Sequence, residues 1–123
     1  MAAKGGTQGR RRKAERRGRF SEYLAALFLM AKGYRILALR VRTPLGEIDI
    51  VARKGDLVAF VEVKARRLET AAVDAVGSLS QQRIRAASDL WLSRRSDAAR
   101  LSQRYDIIAI RPWRLPRHFP DAF

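Results

Sequence analysis

The sequence predicts an α/β fold in which a central mixed sheet is flanked by helices, with its elements in the order αβββαβ. Three observations predict it. A helix-spaced apolar stretch over residues 21–32 precedes three strand-like runs separated by short turn signals. A second helix-like stretch, opening near Ser78, then leads to a last, nearly continuous apolar run, "YDIIAI" at 105–110. Strands joined by tight turns run antiparallel, whereas a strand reached through a helix belongs parallel to a neighbour. At 123 residues the chain has room for one such domain with a real core.

In the first helix Tyr23, Leu24, Leu27, Phe28 and Ala31 recur at spacings of three and four, which predicts a wide apolar face. Ser21 is placed to cap it and Gly33 to end it. The strand runs are "YRILALRV" from Tyr34, "EIDIVAR" from Glu47 and "LVAFVEVKA" from Leu57. Thr43 to Gly46, with Pro44 inside, supplies the first turn and "RKGD" the second, so an antiparallel meander is expected. Ser78 with Gln81 has the form of a capping box, and Ile84, Ala87 and Trp91 form the core stripe of the helix that follows. Pro112, Pro116 and Pro120 are expected to forbid further sheet after the last run. The expected organisation is a basic, disordered tail over 1–19, an α/β domain over 20–111 and a Pro-rich C-terminal tail over 112–123.

Lys and Arg number 26 against 12 Asp and Glu, a formal charge of +14. That excess favours a polyanionic partner, above all nucleic acid. The longest apolar stretch, "YLAALFLMA", is too short to span a bilayer, so no membrane partner is expected. The N-terminus lacks the apolar segment of a secretory signal, which makes the cytoplasm the expected location. There is no cysteine and a single histidine, His118, so a zinc site built from His and Cys is excluded. Any metal must be held by oxygen ligands, as Mg²⁺ or Mn²⁺ would be.

The unusual stretch is "GEIDIVARKGDLVAFVEVKARR", which sets carboxylates into sheet-forming runs. Alternation puts Glu47 and Asp49 on one face of their strand, and Glu62 and Lys64 on one face of the next. If Gly55 and Asp56 are the turn residues, Asp49 falls opposite Glu62; if Lys54 and Gly55 turn instead, Asp49 faces Phe60. In the first register the two acids repel unless one is protonated or a cation lies between them. A divalent metal resolves that conflict, and Lys64 points an amine at the same place, where it can position a water or steady negative charge. The bland alternative is a solvated charge ladder of little energetic consequence.

The combination of an acid in the first helix, "GEID" on one strand and "VEVKAR" on the next resembles the YraN family of bacterial proteins, over about residues 20–110. That family in turn resembles the PD-(D/E)XK nuclease superfamily, including Holliday-junction resolvases and restriction-endonuclease-like enzymes. The resemblance implies a restriction-endonuclease-like core in which Asp49 and Glu62 bind Mg²⁺ with the carbonyl of Val63. It implies Lys64 as the catalytic lysine and Glu22 as the helical acid completing the site. On physics alone, Glu22 equally suits the positive end of a helix. Where the family often carries a basic residue at the start of the second helix, this chain has Ser80, Gln81 and Gln82.

The expected function is metal-dependent hydrolysis of DNA phosphodiester bonds, with DNA favoured over RNA and branched or structured DNA suggested by the resolvase resemblance. The alternative is a non-catalytic nucleic-acid-binding protein, for DNA or for RNA and the ribosome, that retains the nuclease fold. Phosphate contacts are expected from Arg10, Arg11, Arg12, Lys13, Arg16, Arg17, Arg66, Arg67 and Arg83. Trp91 is expected in the core, whereas Trp113 is free to stack on a base or on a partner subunit of a homodimer.

Overall fold

The computed structural model describes residues 19–65 and 77–123. Residues 19–31 are helical (α1). They are followed by β1 (Arg35–Thr43), β2 (Gly46–Lys54), β3 (Leu57–Ala65), α2 (Ser78–Ser93), a 3₁₀ turn (Ala98–Arg100), β4 (Ser102–Ile110) and β5 (Arg117–Phe119). The strands form one sheet in the order β1-β2-β3-β4-β5, with β3 and β4 parallel and the other neighbours antiparallel. The αβββαβ order is therefore present, with one strand added. Against expectation, the prolines do not end the sheet: they bracket it. Arg117–Phe119 fit between Pro116 and Pro120 and pair Ile107 with Phe119 and Ala109 with Arg117 on the outer side of β4, where a short edge strand tolerates flanking proline.

Arg19 and Phe20 are already helical, so Ser21 is not a cap; it is buried within α1. The buried face of α1 also differs from the predicted one. Ala25, Ala26 and Leu29 face the sheet, while Phe20, Tyr23, Leu27 and Met30 stay largely exposed. Small residues let the helix lie close on the strands, and that proximity outweighs the burial of the larger side chains. Gly33 ends the helix as expected, at φ +94°. Tyr34 N–H donates to the Leu29 carbonyl and Gly33 N–H to that of Met30, each at 3.0 Å, the paired bonds of a Schellman ending. α2 starts at Ser78 without the capping box: Gly77 is the cap residue and makes no side-chain cap bond.

Two cores lie on the two faces of the sheet. Beneath α1, Ala25, Leu29 and Tyr34 pack on Ile50, Ala52, Ala59, Val61 and Ile108. On the α2 side, Ala87 packs with Val51, Val58 and Phe60, and Ile84 with Ile107. Trp91 packs edge-on to Phe60 at 5.9 Å, and Phe60, Tyr105 and Phe123 stack in succession at 5.8 and 5.5 Å. The C-terminal residues therefore extend this core.

Gly46 admits α2. A Cβ built there would stand 2.6 Å from the carbonyl oxygen of Arg83, so this glycine serves close approach rather than the turn expected of it. The turn itself is tied by Thr43, whose Oγ1 accepts the N–H groups of Leu45 and Gly46, each at 3.1 Å.

β5 is held by Asp106, which is fully buried. Arg104 grips both its oxygens at 2.7 Å, Asp121 N–H donates to Oδ1 at 3.0 Å, and His118 Nε2 lies 2.8 Å from Oδ2. Burial opposes the charge, but Arg104, His118 and the Asp121 N–H outweigh it and hold the carboxyl down at about 2. The stability Asp106 contributes is complete above the ordinary aspartate pKa near 4 and is lost as pH falls from about 4 toward 2. Asp106→Asn deprives the half-buried Arg104 of its carboxylate while its charge remains, and urea unfolding at pH 7 is expected to show a loss of about 3 kcal/mol. Gly46→Ala is expected to cost about 1–3 kcal/mol in the same measurement, because backbone must move to admit the methyl.

Candidate active site

Gly55 and Asp56 are the hairpin turn residues, with Gly55 at φ +62° and Lys54 paired with Leu57. This is the register that sets Asp49 toward Glu62. The regular ladder between β2 and β3 extends to Ile50 and Val61. Next to it, Asp49 Oδ2 accepts the N–H of Val63 at 2.8 Å, so a side chain stands where a backbone carbonyl would be the usual partner. The alternation of β2 slips at the same place. Ile50 packs beneath α1, yet Ile48, two residues away, packs in the α2-side core. Simple alternation therefore fails locally, and the groups meet because the strand turns about Asp49.

Four predicted residues converge here. Lys64 Nζ lies 3.2 Å from Glu62 Oε1, and Asp49 and Glu62 are near enough to act on each other's charge. Glu22, from α1, acts electrostatically on both acids. One of its oxygens, Oε2, is already engaged by the Nε–H of Arg40 at 2.6 Å. Among the described residues no group of three or more His, Cys, Asp and Glu side chains is gathered to hold a metal ion.

Burial and the neighbouring Glu62 push the Asp49 carboxyl up to about 7, and the Val63 N–H and Lys64 offset this only in part. Burial also raises Glu62, opposed chiefly by Lys64. Burial and mutual repulsion thus favour a proton, or another positive charge, at the pair. Asp49 and Glu62 present only carboxylate oxygens, a hard donor set suited to Mg²⁺ or Mn²⁺. The donor chemistry fits such an ion as a two-carboxylate site.

Sequence reasoning missed Arg40. Leu39 pairs with Ile50 and Val41 with Ile48, so Arg40 stands across from Asp49. Its backbone is left-handed, φ +53°, a strained state for a long side chain, and its guanidinium ties α1 to the sheet through Glu22. Counting back from the Thr43–Gly46 turn is the signal that could have found it.

Two grooves flank the acids. One of about 510 Å³ is lined by Gly46, Glu47, Glu62, Ser80 and Arg83, and one of about 400 Å³ by Arg19, Glu22, Arg40, Arg42 and Asp49. Arg83 is thus beside the site, as a phosphate contact requires, and Ser80 shares its wall. Arg10, Arg11, Arg12, Lys13, Arg16, Arg17, Arg66 and Arg67 lie outside the described residues.

A model of the family described as "Uncharacterised protein family UPF0102" matches residues 21–110. A UPF0102 protein of Rhizobium leguminosarum bv. trifolii (strain WSM2304) is 76% identical over 113 residues, covering 92% of this chain and 93% of that protein. One from Agrobacterium fabrum is 67% identical over 118 residues, covering 96% and 97%.

The raised Asp49 carboxyl has a defined sign in stability. In the metal-free protein its contribution is full below the ordinary aspartate pKa and is lost as pH rises through about 7. Carboxyl ¹³C NMR is expected to show Asp49 titrating near 7, and Glu62→Gln is expected to move that midpoint down. Asp49→Asn, which keeps an acceptor for Val63 N–H, is expected to unfold with about 2 kcal/mol more stability than the native chain at pH 8 and no such gain at pH 4.

Proposed function

This chain belongs to the uncharacterised protein family UPF0102, the YraN-like family its motifs resemble, and for a member built with this acid pair we propose metal-dependent hydrolysis of DNA phosphodiester bonds. One observation carries the proposal: Asp49 and Glu62, half-buried and under-compensated, meet with Lys64 3.2 Å from Glu62. They lie toward the C-terminal end of β3, the strand paired parallel with β4, where open α/β sheets characteristically bind ligands.

In this reading Asp49 and Glu62 supply the oxygen ligands. When bound, Mg²⁺ or Mn²⁺ would neutralise charge on the phosphoryl group and lower the pKa of a water. Lys64 holds its ammonium group at the acid pair, where it orients the attacking water and steadies negative charge. The water oxygen bonds to phosphorus as its proton passes to solvent, the bond to the leaving sugar oxygen breaks, and that oxygen takes a proton from solvent. Arg83 on one side and Arg19 with Arg42 on the other line grooves able to position the phosphates before and after the cut. Val63 keeps Asp49 in place through its N–H, whatever its carbonyl contributes.

The second reading, a DNA-binding protein that does not cut, is favoured by the engagement of a Glu22 oxygen with Arg40 and by the lack, among the described residues, of three acids gathered to hold a metal ion. One experiment separates the two. Duplex, flap and four-way-junction DNA are incubated with the protein and Mg²⁺ or Mn²⁺ beside Lys64→Ala and the Asp49→Ala, Glu62→Ala double variant. The nuclease reading expects cleavage that falls by about 10²-fold or more in each variant, with the double variant also losing Mn²⁺ affinity by calorimetry. Binding without cleavage, unchanged in the double variant, overturns it.

A further inference from the structure

We infer that Trp113 is a stacking platform for an unpaired DNA base near the acid pair, an assignment that rests on the nuclease reading above. Its indole is 102% exposed, the most exposed of the large apolar side chains in the described residues. A tryptophan wholly in water forfeits the stabilisation its burial would give, and the chain uses its other tryptophan, Trp91, as core.

The loop that carries Trp113 is built to hold it out. Pro112 and Pro116 restrict the backbone on either side, and Arg111 Nη2 reaches the Leu115 carbonyl at 3.5 Å across the base of the loop. Trp113 itself is left-handed, φ +59°, which is costly for an aromatic residue and persists only where its surroundings enforce it. A backbone fixed in this way leaves only the two side-chain torsions of the indole to be ordered on binding.

The surroundings select the partner. Residues 111–120, "RPWRLPRHFP", contain three arginines and no carboxylate. A flat aromatic group carried on an arginine-rich segment without carboxylates matches a base attached to a phosphate chain. A base within a duplex has no face to offer, so the complement is one that is unpaired and turned out of the stack.

The position relative to the acids follows from the sheet. β3 and β4 are parallel with Ala65 beside Ile110, so Trp113 leaves the sheet at the end toward which Glu62 and Lys64 lie. Ile110 to Trp113 reaches at most about 10 Å, and Glu62 to Ala65 spans about 10 Å of strand. With about 5 Å more between the paired Ala65 and Ile110, the Trp113 backbone lies within about 25 Å of that of Glu62, roughly seven stacked nucleotides at about 3.4 Å each. Cleavage should then fall within about seven nucleotides of the unpaired base.

The test is binding in EDTA at fixed salt, read by fluorescence anisotropy, of a fully paired duplex and of the same duplex carrying a three-base bulge. Native chain, Trp113→Ala and Trp113→Phe are compared, with the mass of each measured by light scattering. Trp113→Ala is expected to weaken binding to the bulged DNA by about five- to a hundredfold, leave the paired duplex within about twofold, and leave the mass unchanged; Trp113→Phe is expected to retain most of the preference. Equal affinities of the native chain for both DNAs, or an equal loss on both in Trp113→Ala, would overturn the assignment while metal-dependent cleavage still upheld the parent reading. A fall in mass in Trp113→Ala would assign the indole to contact between copies of the chain and overturn it too. Failure of the native chain to bind either DNA sinks both proposals.

Discussion

When a carboxylate takes the amide proton of a neighbouring strand, the backbone on either side of that bond can no longer pair in the ordinary way, and this is what Asp49 does to Val63. The bond holds Asp49 at β3, beside Glu62, while β2 changes phase so that Ile48 and Ile50 enter different cores. Arg40, across from Asp49 on β1, adopts a left-handed backbone and takes Glu22 from α1. The site is therefore a local fault in the sheet, stabilised on one side by the Val63 amide and on the other by the Arg40–Glu22 pair. A regular ladder at this point would preserve alternation but would not insert a carboxylate into the strand pairing.

The same sheet contains a second buried aspartate, and the contrast shows what neutralisation does. Asp106 has a bidentate arginine, an imidazole and a backbone amide, and these hold it ionised despite burial. Asp49 has one amide and a lysine already shared with Glu62, and burial beside a second acid favours its proton. Asp106 fixes structure, joining β4 to the C-terminal residues. Asp49 keeps unmet demand for positive charge, which in the proposed function a cation meets.

Much of this was legible from residue order. A period of two with Gly55 at the turn limits the β2–β3 hairpin to two registers, and one of them is the observed pairing that brings Asp49 to Glu62. β3 was visible to its last residue because its apolar run is bounded by a turn and a basic stretch. The face of α1 was not legible: periodicity finds a stripe, but only tertiary packing decides that Ala25, Ala26 and Leu29 lie inward while Tyr23 and Leu27 do not. β5 escaped because proline rules describe central strands, and three residues at an edge need little of the ladder. Arg40 escaped because its role arises from the β1–β2 register together with the position of α1, two facts that no single window of sequence contains.

Both margins of the sheet are blunted. β1 exposes Arg35 and Arg42 and carries an irregular pairing between Ile36 and Ala38, while β5 is three residues long between prolines. Unpaired backbone at a sheet margin is a template for adding foreign strands, and charge, bulges and brevity are the features that deny it. In the proposed function a protein this cationic would be concentrated on nucleic acid, where chance strand addition would be most frequent. With these margins, molecules crowded along one nucleic acid can remain separate instead of knitting into a continuous sheet.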